Sequence, residues 1–96
     1  MSPKNTKELQ KLRKKLDIVD LELLNIIKKR SILVRKVLSL KNFKNQIVDR
    51  KRINIILKKI KILSIEKKID PKITNRIWKN MIWSFIDYEN RNFKKK

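Results

Sequence analysis

Four residues at helical spacing form a candidate site for a small anion. An α-helix turns about 100° per residue, so a helix through this part of the chain aligns four side chains, Arg30, Val34, Val37 and Lys41. The two cations would lie about 16 Å apart along the axis and could close on one anion over the valines. Arg30 occupies a position where an apolar residue is expected, and a buried cation needs an anion beside it. The alternative is that Arg30 lies at the edge of the apolar seam and reaches water or an acid such as Asp49.

Other charged residues could complete such a site. Arg13 is about 100° around the helix and about 25 Å from Arg30, so it cannot reach the same ligand within one chain. An antiparallel second copy of the helix would bring it to the partner's ligand. Asp49 and Arg52 stand one turn apart at the predicted start of a second helix.

An apolar stripe near the C-terminus ends in a carboxyl group. Its members recur at positions i, i+3, i+4 and i+7, namely Ile82, Phe85, Ile86 and Glu89. Glu89 is therefore a candidate for the same site. Its spacing alone favours a plain surface acid near a helix end.

The composition narrows the chemistry that these residues can perform. The 96 residues include no Cys and no His, which excludes thiol nucleophiles, disulfides and the commonest general base and metal ligand. Catalysis must use Arg, Lys, Asp, Glu or hydroxyl groups, and we expect no metal and no cofactor. No apolar run resembles a signal peptide or a membrane span, so a cytoplasmic location is expected.

The net charge of +19 has two interpretations. Twenty-eight Lys and Arg residues against nine acids are typical of a protein that binds nucleic acid. The chain is also rich in Lys, Ile and Asn and has no Ala or Gly, which an AT-rich genome would produce. The charge alone does not choose between these interpretations.

The apolar spacing predicts an all-α fold of three helices in a single domain, 1–96. The absence of Gly disfavours tight β-hairpins. The first helix is predicted over 6–43 with Thr6 as N-cap, and the second over 49–67. The third follows Asp70 at the N-cap and Pro71 at the first helical position, and runs to about residue 90. The predicted core is 8–90, and 91–96 form a basic tail.

The first helix is too long for a chain of this size to cover. About 38 residues span roughly 57 Å, whereas a compact protein of this length is only about 35 Å across. Its seam has heptad spacing and consists of Leu9, Leu12, Leu16, Val19, Leu23, Ile26, Leu33, Val37 and Leu40. A second copy of the helix would cover it, so a homodimer is expected.

Three groups of residues carry a resemblance to a known family. The first is Leu12-Arg13, Asp17, Asp20, Leu23-Leu24, Lys29-Arg30 and Lys41, the second is Asp49, Arg52 and Ile56-Leu57, and the third is Ile69-Asp70-Pro71, Ile77-Trp78, Met81-Ile82, Phe85-Ile86 and Glu89. In this order and spacing they resemble the three helices of the AroQ-type chorismate mutases over about 8–90. The resemblance implies an intertwined helical homodimer with two shared active sites and the chorismate mutase II-like fold.

The resemblance also implies a role for each charged residue. Arg30 and the partner's Arg13 would grip the carboxylates of a dianionic substrate. Lys41 would donate to the ether oxygen, with Glu89 as the second group at that oxygen. Asp49 would lie near the ring hydroxyl, and Arg52 would support the carboxylate end. The pocket would be shaped by Val34, Val37, Ile53, Ile82, Phe85 and Ile86.

Three positions depart from the usual mutase pattern. Ile53 stands where many members have Glu, Phe85 where a small hydroxyl residue is common, and Glu89 where bacterial members often have Gln. The residues at 53 and 85 also resemble those of isochorismate pyruvate lyases, which share the fold. Fungal mutases use Glu at the third position.

The predicted activity is the rearrangement of chorismate to prephenate in aromatic amino-acid biosynthesis. This reaction needs no nucleophile and no obligatory proton transfer, so a chain without His and Cys can perform it. The alternatives are an isochorismate pyruvate lyase, a regulatory relative with weak activity and a basic helical dimer that binds nucleic acid. The last is disfavoured because the basic residues surround all three helices and no helix-turn-helix spacing is apparent.

Overall fold

The computed structural model describes residues 2–95, and these residues form three α-helices and no strand. Helix α1 spans Pro3–Leu40, α2 spans Arg50–Glu66 and α3 spans Pro71–Asn92, with a short 3₁₀ turn at Lys44–Gln46 between α1 and α2. The all-α prediction with three helices is confirmed. No helix within residues 2–95 has the length and apolar character needed to cross a membrane.

The first helix begins earlier and ends earlier than predicted. The Ser2 hydroxyl accepts a hydrogen bond from the Asn5 amide at 3.2 Å, so Ser2 caps the helix and the predicted cap at Thr6 is wrong. Thr6 lies inside α1, where its hydroxyl donates to the Ser2 carbonyl. The helix ends at Leu40 because the next residues turn around the Gln46 side chain, whose oxygen accepts from two successive backbone amides.

The starts of α2 and α3 agree with the prediction. Asp49 accepts from the Arg52 amide at 3.0 Å, and Asp70 accepts from the Lys72 amide at 2.9 Å, so both are N-caps. Pro71 occupies the first turn of α3, where a missing amide proton costs nothing. Between the two helices Lys68 adopts a positive φ of 58°, a conformation that Gly adopts more readily.

Contacts divide the chain into two compact units, one up to residue 33 and one from residue 34 onward. The first unit is the N-terminal part of α1, and none of its residues from 2 to 33 is buried. The seam leucines Leu12, Leu16 and Leu23 are each more than half exposed. Further exposed side chains of this unit are Ile18, Val19, Leu21, Leu24, Ile26 and Leu33. This surface is far more apolar than an exposed helix needs to be.

The second unit contains the core. Ile47, Ile82 and Ile86 are buried, and the residues packed against them are Leu38, Val48, Ile53, Ile56, Leu57, Trp78 and Phe93. Helix α3 runs two residues beyond its predicted end. Since Phe93 packs on the core, the basic tail predicted from residue 91 begins only after it; Lys96 lies outside the described residues.

A buried hydroxyl pair joins the C-terminal part of α2 to the N-terminal part of α3. The Ser64 and Thr74 hydroxyl oxygens are 2.7 Å apart, and both residues are buried. The Ser64 hydroxyl also donates to the Ile60 carbonyl at 2.6 Å. The Thr74 hydroxyl likewise has the Pro71 carbonyl at 3.4 Å, so either hydroxyl can be the donor of the pair.

This pair should couple the two helices energetically. We expect Ser64→Ala and Thr74→Val each to lower the free energy of unfolding by about 1–2 kcal/mol, because each leaves a buried hydroxyl or carbonyl with one partner fewer. The double variant should lose about 0.5–1.5 kcal/mol less than the sum of the single changes. Urea unfolding at one fixed protein concentration measures all four proteins. Strict additivity would mean that the two hydroxyls do not interact in solution.

Candidate active site

Lys41 and Glu89 meet in the second unit, although 48 positions separate them in the chain. Lys41 is the first residue after α1, and its amide donates to the Leu38 carbonyl at 3.1 Å. Glu89 lies near the end of α3. The Lys41 Nζ and the Glu89 Oε2 are 2.9 Å apart, and the two side chains are 19% and 8% exposed. The interpretation of Glu89 as a surface acid is therefore wrong.

In this ion pair the Lys41 ammonium group still has N–H donors that can bind a ligand. A Lys ammonium has three donors, and Glu89 is the one side-chain partner that the structure gives it among residues 2–95. An oxygen atom of a bound ligand can therefore be added to Lys41 without first breaking the ion pair. Because the side chains are largely removed from water, a charge that develops beside them is screened only weakly.

Asp49 and Arg52 lie together at the N-terminus of α2, as their spacing predicts. Both residues are exposed. One carboxylate oxygen of Asp49 accepts the Arg52 amide proton, which leaves the other oxygen for a ligand. The positive end of the α2 dipole and the Arg52 guanidinium make this helix end a favourable place for a carboxylate.

The six residues predicted to shape the pocket differ in burial. Ile82 and Ile86 belong to the buried core, two turns and one turn before Glu89 on α3. Val34, Ile53 and Phe85 are half-buried, whereas Val37 is 49% exposed. The half-buried residues are the ones that can contact both the core and a ligand.

The remaining two predicted site residues belong to the first unit. Arg13 is exposed on α1, and Arg30 is half-buried. Exposure of Arg13 agrees with a residue that serves a neighbouring chain, but its role stays a prediction. The same holds for the role of Arg30.

A comparison with protein families identifies the family of this chain. A family model described as chorismate mutase type II matches residues 12–90. The chain belongs to this family. A comparison with curated proteins and another with solved structures found no match.

Membership of the family defines the class of enzyme. A chorismate mutase is an isomerase that rearranges chorismate to prephenate, and the all-helical structure agrees with the family's fold. The predicted resemblance and its implied activity are confirmed at this level. The matched segment contains every residue that the sequence singled out for the site, from Arg13 to Glu89.

One contact near the site was not predicted. The Arg50 guanidinium lies 5.9 Å from the centre of the Trp83 ring, and Trp83 is 44% exposed. The contact joins the first residue of α2 to α3 and so helps to hold the helix end that carries Asp49 and Arg52.

Proposed function

We propose that this chorismate mutase acts as a homodimer in which Lys41 and Glu89 surround the ether oxygen of chorismate. The observation that carries the proposal is the buried ion pair between these side chains, which lies inside the segment matched by the family. The rearrangement breaks a C–O bond and forms a C–C bond within one molecule. To accelerate this reaction, the enzyme must hold the substrate in a compact conformer and stabilise the negative charge that develops on the ether oxygen.

Lys41 supplies the permanent positive charge in this proposal. As the C–O bond breaks, negative charge grows on the ether oxygen, and a donor held in place at that oxygen is worth about 10²–10³ in rate. An ammonium that already has a fixed carboxylate partner needs little reorganisation to meet the oxygen. Arg52, at the N-terminus of α2, would bind the carboxylate end of the substrate, and Asp49 its hydroxyl.

Glu89 would act differently with and without substrate. As a carboxylate it orients Lys41, which the 2.9 Å contact supports. Beside an oxygen that gains negative charge, the carboxylate would be repulsive. Only its protonated form would donate a hydrogen bond to that oxygen. The protonated form is therefore the active one in this proposal.

A second copy of the chain would cover the exposed apolar seam of α1 and would supply its Arg13 to the active site. The apolar seam of α1 is exposed from Leu12 to Leu33, and each half-exposed leucine forgoes on the order of 1 kcal/mol of burial. An antiparallel α1 would cover the seam. It would also carry the partner's Arg13 to the substrate, where Arg30 binds a second carboxylate.

A related reaction is the second candidate. Ile53 and Phe85 replace the polar groups that many mutases have, and both are half-buried, Ile53 against the core. Apolar walls at these positions also suit an isochorismate pyruvate lyase, whose substrate carries its ring hydroxyl at a different carbon.

Product analysis separates the two candidates. We expect the purified protein to convert chorismate to prephenate and to release little pyruvate from isochorismate, because the family match is to chorismate mutases. Lys41→Ala should lower turnover of chorismate by about 10²–10³. The matched control is Lys44→Ala, which removes an exposed cation three residues away and should change turnover less than about twofold. Pyruvate as the main product would reverse the assignment.

Shared active sites predict complementation between inactive subunits. Arg13→Ala and Arg30→Ala should each be nearly inactive, since each site then lacks one arginine. A heterodimer of the two variants has one site with both arginines, so it should regain up to about half of the parent activity. Mixtures of one variant with a tagged copy of itself are the control. Heterodimers that form and stay inactive would contradict the shared site, and an active monomer in light scattering would contradict the dimer.

The proposal for Glu89 predicts that a neutral donor can replace this side chain. The ionised carboxylate would repel an ether oxygen that gains negative charge, and one hydrogen bond to that oxygen is worth about ten- to a hundredfold in rate. Glu89→Gln keeps a donor in the same place, so its turnover of chorismate should equal or exceed that of the parent. Asp87→Asn, on the exposed face of the same helix, is the control and should leave turnover within about twofold of the parent. A tenfold loss of turnover in Glu89→Gln would mean that Glu89 does not donate to the ether oxygen.

A further inference from the structure

A cationic cleft lies between the last turns of α1 and α3, in the second unit. Its volume is about 420 Å³, which is within the range of small-molecule sites. Three of its lining residues are cations, Arg35, Lys94 and Lys95. Neither Lys41 nor Glu89 lines it, so it is separate from the candidate active site.

The charges around the cleft are not balanced by acids. None of its lining residues is acidic. Two acids flank Tyr88 in the sequence, and each forms a 2.9 Å ion pair, Asp87 with Arg91 and Glu89 with Lys41. The C-terminal ends of α1 and α3 contribute roughly half a negative charge each, which leaves most of the three positive charges uncompensated. The cleft therefore attracts anions.

The other residues that line the cleft favour a ligand that has an apolar part as well as a negative charge. Leu38 and Tyr88 give the cleft an apolar wall, and both are half-buried, Leu38 against the core. The Arg91 guanidinium lies 5.9 Å from the centre of the Tyr88 ring. Ser39 and Asn92 add a hydroxyl and an amide. An anion with an apolar or aromatic body would use both kinds of surface, whereas a bare inorganic ion would use only the cations.

We propose that this cleft is a second ligand site, specific for a small organic dianion with an aromatic body. Two carboxylates would pair with Arg35 and the two lysines, and the ring would pack on Leu38 and Tyr88. The proposal concerns binding and does not depend on the roles proposed for Lys41 and Glu89.

The chain contains its own control for non-specific attraction. A second cleft of about 360 Å³, between α2 and α3, is also lined by three lysines, Lys58, Lys61 and Lys72. Its other lining residues are Leu57, Pro71 and Asn75, so it lacks an aromatic wall and a guanidinium. Charge removal at either cleft lowers the net charge of the protein by three.

The experiment is a titration of the full-length protein with isophthalate, followed by calorimetry and by amide NMR shifts. Arg35→Gln/Lys94→Gln/Lys95→Gln should weaken binding by about tenfold or more, since three ion pairs are lost. Lys58→Gln/Lys61→Gln/Lys72→Gln should stay within about twofold of the parent. Glutarate, with the same charge and carboxylate spacing but no ring, should bind about fivefold more weakly than isophthalate. The shifts should centre on Ser39, Tyr88 and Asn92.

Three results would overturn the proposal. Equal losses in the two triple variants would mean that isophthalate follows the net charge and not the cleft. Shifts confined to Arg52 and Ile53 would place it in the substrate site. Absence of binding at millimolar isophthalate would mean that the cleft has no such ligand. Should the first variant fail to give the parent's circular dichroism spectrum, Lys94→Gln/Lys95→Gln replaces it, with Lys58→Gln/Lys61→Gln as control.

Discussion

The contact between Lys41 and Glu89 is the interaction on which the rest of the site depends. Both groups have lost most of their hydration, and only the 2.9 Å ion pair compensates for that loss. The pair forms only if the end of α1 and the last turns of α3 stay together. Ile82 and Ile86, two turns and one turn before Glu89, are buried in the core against which Leu38 packs. Apolar packing thus fixes the separation of the two charges, and that separation makes a preorganised cation possible.

Local chemistry explains which parts of the fold could be predicted from the sequence. Asp70 could be predicted as a cap because a carboxylate directly before a Pro and an apolar-periodic segment has one favourable use, whereas the capping role of Asp49 is seen only in the structure. Thr6 was chosen wrongly because Ser2, four residues earlier, has the same capability and nothing between them stops a helix. Burial of Glu89 could not be predicted from spacing, since its partner is 48 positions away and only tertiary packing brings them together. The family resemblance placed both residues in one site where spacing could not.

For the first unit, the sequence predicts a helix with an apolar seam, and the structure forms this helix but leaves most of the seam exposed. The heptad spacing of its leucines was correctly recognised, and the helix forms, yet these side chains stay exposed. A helix of this length has no shortage of backbone hydrogen bonds, so what it lacks is a surface to pack on. The proposed dimer would supply that surface without any change in α1. It would also explain why a chain of 96 residues can devote more than a third of its length to a single helix.

Because the chain has no His and no Cys, catalysis must depend on the placement of charged groups and not on an imidazole base or a thiol nucleophile. A chain with a net charge of +19 has cations everywhere, so a cation alone does not define a site. Lys41 differs from the exposed lysines because a carboxylate holds it and because water is largely excluded. In the empty site, however, the Glu89 carboxylate neutralises part of the positive charge of Lys41 that the proposed reaction needs. An enzyme accelerates a reaction only through interactions that are stronger in the transition state than before it. In the role proposed for Lys41, the ion pair would contribute by holding the ammonium group in place, so that an ether oxygen that gains charge meets a cation that needs little reorganisation.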